Sequence, residues 1–331
     1  MSPIICLGIE STADNLGIGI ASSDGQILAN IVDVHIPEEG GIHPREAARH
    51  HSDVMGEVIR RAIKESGISS DELDLIAFSQ GPGLGPCLRT GATSARAMAS
   101  YLGKPLVGVN HCVAHVEIGR LTANAHDPLT LYVSGGNTIV SAYESSRYRI
   151  FGETLDIAVG NLLDTFSREA GLAYPGGPAI ERLALKGDTL ISLPYIVKGM
   201  DLSYSGLLTS ITKKLHQGRY NLEDLCYSLQ ETAYAMLGEV TERALAHTGK
   251  EELLLTGGVG ANRRLRSMIE DIAHEHEAEA CFIPIEYATD NGAMIAWTGI
   301  IAYEEGCVTK IGSSYVDPNW RMDMVEVPWR K

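Results

Sequence analysis

Two histidines four residues apart, His111 and His115, have the types and spacing to do metal chemistry. They lie in Val107-Gly-Val-Asn-His-Cys-Val-Ala-His-Val-Glu-Ile-Gly119, where an apolar run leads to Asn110 and helix-like spacing follows it. Asparagine is a favourable N-cap type. On a helix a spacing of four puts both imidazoles on one face, roughly 6 Å apart along the axis. Two stacked imidazoles are half of a common metal site, and a third ligand must come from elsewhere. The plainer alternative is two unrelated histidines at a helix start. The candidate third ligand is Asp290, where a strand Ala280-Cys-Phe-Ile-Pro-Ile-Glu-Tyr hands over to a helix start at Ala288-Thr-Asp-Asn-Gly-Ala-Met. An aspartate there could also be a simple N-cap. In open α/β folds ligand-binding residues gather at the carboxyl ends of strands, and Asp290, Asn137, Asn262 and His111 are all expected there.

The elements that must carry these residues form a repeating series. Ile4–Ile20 reads as strand, turn, strand, with a hydroxyl- and amide-rich turn Ser11-Thr-Ala-Asp-Asn15. Such a turn can offer N–H groups to a phosphate, although polar hairpin turns are common. Residues 21–34 continue as a third strand. The stretch from Gly40 to His51 holds His43, His50, His51, Arg45 and Arg49 at a loop-to-helix boundary, either a solvated helix start or an active-site rim in contact with RNA. Helical periodicity runs from about 44 to 66 and stops at Gly67. Asp74–Gly85 is a strand running into a glycine turn, followed by a helix over 88–102 and a strand over 106–109.

The second half repeats the order. Leu129–Tyr143 is strand, turn (Ser134-Gly-Gly-Asn-Thr138), strand, and Glu252–Arg264 is strand, glycine turn, helix. In each half the strand–glycine turn–helix follows the polar hairpin by roughly 65 to 120 residues, a recurrence of architecture rather than of letters. It predicts a duplicated α/β protein: a lobe over 1–128 and a lobe over 129–331, facing each other across a cleft, with the last helix able to pack back on the first lobe. This is the layout of the actin, sugar kinase and Hsp70 ATPases, in which two polar hairpins hold phosphates and the second glycine turn and its helix hold the adenosine. Between the halves, Asp156–Arg168 reads as a helix with Asp156, Gly160 and Asp164 along one face. An exposed acidic face is the alternative there. The rigid turn Pro175-Gly-Gly-Pro then leads into a helix whose first turn holds Glu181.

Composition sets outer bounds. The chain has 331 residues, 44% hydrophobic and 21% charged, as soluble globular proteins do. Its 35 glycines cluster after apolar runs, a pattern of backbone that approaches a ligand or turns sharply. Cys6, Cys87, Cys112, Cys226, Cys281 and Cys307 form no Cys-x-x-Cys pair, so neither a disulfide framework nor a zinc finger is indicated. A reducing cytoplasm fits, with no targeting signal at the N-terminus and no run of transmembrane length. A net charge of −15 argues against a protein that coats nucleic acid unaided, without excluding a local basic patch or a basic partner.

Taken together, the motifs resemble one family over nearly the whole chain: the universal tRNA N6-adenosine threonylcarbamoyltransferases, called TsaD in bacteria and Kae in archaea and eukaryotes. The matching pieces, in order, are Gly8-Ile-Glu-Ser-Thr-Ala-Asp14, Gly81-Pro-Gly-Leu, Asn110-His-Cys-Val-Ala-His, Tyr132-Val-Ser-Gly-Gly-Asn-Thr, Asp156-Ile-Ala-Val-Gly-Asn with Asp164, Pro175-Gly-Gly-Pro, Gly257-Gly-Val-Gly-Ala-Asn and Ala288-Thr-Asp-Asn-Gly-Ala-Met. Tyr132 and Asn137 resemble the archaeal and eukaryotic cytosolic branch; the bacterial branch usually has His at the Asn137 position. The resemblance implies transfer of threonylcarbamoyl from threonylcarbamoyl-AMP to N6 of adenosine 37 in ANN-decoding tRNAs, with release of AMP. It implies one divalent metal, iron or zinc, on His111, His115 and Asp290 (the catalytic set), with Tyr132 as a fourth ligand. It implies that Tyr132, Val133, Ser134, Gly135, Gly136, Asn137, Asp164, Gly177, Glu181 and Asn262 hold the nucleotide part of the donor, where ATP or AMP can also sit. It further implies work inside the KEOPS assembly, with a small atypical protein kinase, a dimerising small subunit and a kinase-binding subunit, and no membrane. Some members are fused to that kinase, and a chain ending at Val-Pro-Trp-Arg-Lys331 is expected either as a natural product or as a piece of such a fusion.

Three other readings compete. A metalloprotease would need a glutamate beside the first histidine, as in His-Glu-x-x-His, and this sequence has Cys112 there. A plain ATPase or sugar kinase of the same fold does not need a histidine pair, and a non-catalytic nucleotide-dependent scaffold would not need the full ligand set. With so acidic a chain, RNA contacts are expected to be local, at Arg45, Arg49, Lys198, Arg263, Arg264 and Arg266, with partner subunits supplying further basic surface.

Overall fold

The computed structural model describes residues 2–36 and 41–330; Gly40, the first residue of the histidine-rich stretch, lies outside them. The chain falls into two compact units. One comprises Met1–Leu121, Glu144–Tyr148 and Asp290–Lys331, the other Thr122–Tyr143 and Arg149–Thr289.

In chain order the first stretch gives strands β1 (Ile5–Glu10), β2 (Asn15–Ser22) and β3 (Ile27–Val34), helix α1 (Pro44–Ser66), strand β4 (Leu75–Gly81), helix α2 (Gly85–Leu102), strand β5 (Leu106–Asn110) and helix α3 (His111–Thr122). The middle stretch gives β6 (Leu129–Val133), β7 (Thr138–Glu144), β8 (Arg147–Glu153), α4 (Val159–Glu169), α5 (Gly176–Ala184), the short pair β9 (Val197–Lys198) and β10 (Asp201–Leu202), α6 (Ser205–Gln217), α7 (Leu222–Thr248), β11 (Glu252–Thr256), α8 (Arg263–Glu275), β12 (Glu279–Phe282) and α9 (Ile285–Ala288). Helix α10 (Gly292–Glu304) returns to the first unit.

The expected repeat is present in the sheets. The first has the order β3-β2-β1-β4-β5 and the second β8-β7-β6-β11-β12, so each is built outward from a central strand in the same way. β1 is antiparallel to β2 and parallel to β4, as β6 is antiparallel to β7 and parallel to β11. The central strands are buried almost end to end, which is why they read as continuous apolar runs rather than as alternating ones. Helix α1 turns Ala47, His51, Met55, Val58 and Ala62 inward at helical spacing and stops at Gly67, whose φ of 72° suits glycine. The core of the first unit gathers around Leu7, Ile9, Ile18, Ile20, Ile76 and Phe78, and that of the second around Leu131, Phe166, Leu229, Leu237, Leu253 and Leu255. Among the described residues no helix is long and apolar enough to cross a membrane.

Three expectations need correction. Helix α4 begins at Val159, so Asp156 is not on its face. The Asp156 carboxylate instead accepts hydrogen bonds from Ser203 Oγ (2.5 Å), Tyr204 N (2.8 Å) and Ser205 N (3.1 Å), tying down the start of α6. Glu181 falls in the second turn of α5, because that helix already starts at Gly176. The apolar stretch from Ala280 to Tyr287 is not one strand: β12 ends at Phe282, and Pro284, which cannot donate to a ladder, starts the short helix α9.

Candidate metal centre and nucleotide-binding turns

In the first unit β5 delivers His111 to the start of α3. Asn110 caps that helix as its residue type predicts, Val113 N donating to its Oδ1 at 3.1 Å, while its Nδ2 donates to the Trp320 carbonyl at 2.9 Å. The two imidazoles meet edge to face with centroids 4.8 Å apart. Asp290 Oδ1 lies 3.0 Å from His115 Nε2 and 3.5 Å from His111 Nε2. The cap of α10 is Asn291, which accepts from Met294 N at 3.0 Å, so Asp290 is released from that duty and its carboxylate faces the histidines.

The ligand atoms of His111, His115 and Asp290 all lie within 4.8 Å of one another. A metal bound at about 2.1 Å holds its ligands about 3.4 Å apart, so this donor set needs only a small adjustment to close on an ion. Two neutral imidazoles and one carboxylate suit zinc or iron and leave a divalent ion with net positive charge.

Behind the triad stands a residue that the spacing argument missed. Glu10, fully buried at the end of β1, accepts from His111 Nδ1 at 3.0 Å and from Thr12 N at 2.7 Å. With Nδ1 engaged, the Nε2 lone pair of His111 points toward Asp290, which is the usual way a carboxylate orients a ligating histidine. Burial works against a charge on His111, but the carboxylates of Glu10 and Asp290 outweigh it and push the ring up to about 9. Burial dominates at His115 and holds it below the ordinary histidine range. Metal binding must therefore displace a proton from His111. Apparent metal affinity is expected to climb about tenfold per pH unit through neutrality and to level off above about pH 9. Glu10→Gln should weaken that plateau affinity by about 10- to 100-fold and move the levelling-off point to lower pH, as competition with a chromogenic chelator would read out. Identical pH profiles for the two proteins would remove Glu10 from the site.

The nucleotide candidates lie in the second unit. The turn after β6 is closed by Ser134 N donating to the Asn137 carbonyl (2.8 Å) and Asn137 N donating to Ser134 Oγ (3.1 Å). Gly135 and Gly136 are exposed, and a Cβ at either would meet nothing within 4 Å. The turn rests on the start of α4, where Gly160 N donates to the Ser134 carbonyl at 3.2 Å and where any Cβ on Gly160 would lie 2.5 Å from that oxygen. Asp164 on α4 accepts from Gly176 N at 2.7 Å, beside Gly177, and burial raises its carboxyl above the usual range. Glu181 on α5 accepts from Arg263 N at 2.9 Å. Asn262 caps α8 by accepting from Arg264 N and Leu265 N, and its Nδ2 donates to Gln230 Oε1 at 3.1 Å. Gly257, with φ of 90°, crosses so close to β6 that a Cβ would sit 2.2 Å from the Val133 carbonyl. The turns after β6 and β11 and the starts of α4, α5 and α8 are thus linked in one group. Tyr132, on β6, is buried, and its hydroxyl accepts from Asn137 Nδ2 at 3.3 Å.

A profile of the TsaD family, described as tRNA N6-adenosine threonylcarbamoyltransferase, matches residues 26–297. The chain belongs to that family. A tRNA N6-adenosine threonylcarbamoyltransferase from Thermococcus kodakarensis is 55% identical over 326 residues, covering 98% of this chain and all of that protein. A probable bifunctional tRNA threonylcarbamoyladenosine biosynthesis protein from Methanobrevibacter smithii is 56% identical over 99% of this chain, which spans 61% of that relative's length. Among solved structures, Thermococcus kodakarensis HypF aligns with a TM-score of 0.64 at 18% identity, over 94% of this chain and 50% of that one. Component A of Acidaminococcus fermentans (R)-2-hydroxyglutaryl-CoA dehydratase aligns at 0.57 and 14% identity, over 91% and 98%. The duplicated α/β fold of actin-like type is borne out. Glu10 is the part of the triad's surroundings whose role only the folded arrangement reveals.

Proposed function

We propose that this chain transfers a threonylcarbamoyl group from threonylcarbamoyl-AMP to N6 of adenosine 37 in ANN-decoding tRNA, with AMP leaving. The observation that carries the reading is the convergence of His111, His115 and Asp290, backed by Glu10, in a chain of this family. The donor is a mixed anhydride with a good leaving group, and the acceptor is an exocyclic amine and a poor nucleophile. The protein's task is therefore alignment and charge stabilisation, with no serine or cysteine nucleophile required. His111, His115 and Asp290 would hold one divalent metal, iron or zinc. When bound, the metal supplies positive charge that polarises an oxygen of the donor. The turn from Val133 to Asn137, with exposed Gly135 and Gly136, would take the donor phosphate on backbone N–H groups. Asp164, Gly177 and Glu181 would receive the nucleoside, and Asn262 would act by capping α8 and fixing the turn beside it. ATP or AMP would occupy the same place.

Docking of tRNA would need help. Of the candidate cations, Arg264 is engaged bidentately by Glu231, and Arg266 donates to the Gly260 and Ile283 carbonyls. Arg45, Arg49, Lys198 and Arg263 are exposed, though Arg49 also lies 3.8 Å from Asp53. On a chain of charge −15 these few favour a cytoplasmic complex in which KEOPS subunits, among them a small atypical kinase, provide further basic surface. The test is incubation with threonylcarbamoyl-AMP and unmodified ANN-decoding tRNA, with and without those subunits, followed by nucleoside mass spectrometry. Threonylcarbamoyladenosine that disappears with a chelator supports the reading. ATP binding without any product, all partners present, would replace it with a nucleotide-dependent scaffold or ATPase.

A further inference from the structure

The face of α3 opposite the histidines carries a second buried polar cluster that the proposed reaction does not use. At 3.6 residues per turn Glu117 points about 140° and Arg120 about 160° away from the mean direction of His111 and His115. Glu117 is 1% exposed, and three groups converge on its carboxylate. Tyr148 OH donates to Oε1 at 2.6 Å, Trp329 Nε1 donates to Oε1 at 2.9 Å, and Arg120 Nη1 donates to Oε2 at 2.6 Å. Arg330, itself 9% exposed, donates to Tyr148 OH at 3.0 Å and lies over its ring. The donors come from three separate parts of the first unit: the helix itself, the hairpin residue Tyr148, and the C-terminal segment.

A charge buried this deeply is poor evidence of added stability, because apolar side chains of the same shape would often serve as well. Its special property is direction. The rest of α3 is ringed by small or apolar residues (Cys112, Val113, Ala114, Val116, Ile118, Gly119), all buried. Apolar packing of that kind tolerates small rotations, whereas hydrogen bonds to one carboxylate from two donors outside the helix, Tyr148 OH and Trp329 Nε1, do not. A rotation of α3 would swing both Nε2 atoms relative to Asp290, the geometry on which a metal site depends.

We propose that Tyr148 and Trp329, gathered on Glu117, with Arg330 holding the Tyr148 hydroxyl, are positioning residues that set the rotation of α3 and thereby the metal affinity of the His111–His115–Asp290 triad. This inference rests on the reading of that triad as a metal site. The test is Co2+ titration of the full chain by competition and by visible absorption, for the wild type, His115→Ala, Trp329→Phe, Tyr148→Phe and the surface control Glu326→Ala. Tyr148→Phe keeps the ring and removes the hydroxyl that donates to Glu117 and accepts from Arg330, and Trp329→Phe keeps an aromatic ring at the position while removing the indole Nε1 donor. Each is expected to weaken Co2+ binding by about 10-fold and to shift the absorption bands, with Glu326→Ala matching wild type. Folded Trp329→Phe with wild-type affinity and bands, even if it melts lower, would overturn the proposal, because a purely stabilising role moves only the melting temperature. Should Tyr148→Phe fail to fold, Trp329→Phe alone decides. A wild-type chain that binds no Co2+, like His115→Ala, would instead overturn the metal reading itself and this inference with it.

Discussion

On the proposed function, alanine at position 111 is expected to strip the site of its metal and to lower threonylcarbamoyl transfer by about 1000-fold or more, the scale on which loss of a metal's electrostatic contribution falls. Three observations set that size. His111 supplies one of three converging donor atoms, so its removal leaves a two-ligand site. It is also the histidine that Glu10 orients, at 3.0 Å. And it is 4% exposed, so alanine leaves the buried Glu10 carboxylate without the ring that balances its charge. The variant should therefore also lose some stability, and circular dichroism must accompany the assay. Elemental analysis of metal per chain and nucleoside mass spectrometry of the tRNA check the outcome. A folded, metal-free His111→Ala protein that transfers at the wild-type rate would end the assignment.

Much of this site was legible before folding, and the reasons are physical. His111 and His115 announce themselves because a helix turns a spacing of four into a shared face. Asn110 announces the start of that helix by its type, and Val113 N duly donates to it. The repeated strand order follows from hairpin and glycine-turn signals that act locally. What was missed acts over long sequence distance or between near-equivalent residues. Glu10 stands 101 positions from His111, and no spacing rule joins them. The one available signal was a carboxylate closing the apolar run Ile4–Ile9. Asp290 and Asn291 are both capping types, and only the backbone decides that Asn291 caps and Asp290 does not. Asp156 mimics a helical face with Gly160 and Asp164 by spacing alone, but its carboxylate is claimed by Ser203, Tyr204 and Ser205, and the helix starts after it.

Glycines clustered after apolar runs read as backbone that approaches a ligand or turns sharply, and Gly8 and Gly19 of the first hairpin approach a helix instead. A Cβ on Gly19 would lie 2.1 Å from Ala293 N, one on Gly8 2.2 Å from Ala296 N, and one on Gly292 2.0 Å from Gly19 N. The backbone of α10 therefore lies directly on β1 and β2, and Asp290 is two residues from that contact. Gly19→Ala is expected to cost ~3 kcal/mol, at the upper end for overpacking, because backbone rather than a flexible side chain must give way. Since the helix can yield only by lifting off the sheet, the variant should also hold metal less tightly. Gly56→Ala on α1, where a Cβ would meet nothing within 4 Å, should instead stabilise by roughly 0.5–1 kcal/mol through helix propensity. Urea denaturation of both variants, paired with metal content, separates the two kinds of glycine. If Gly19→Ala unfolded at the wild-type midpoint and kept its metal, the close seating of α10 would not be what places Asp290, and the position of that carboxylate would have to be credited to the Asn291 cap alone.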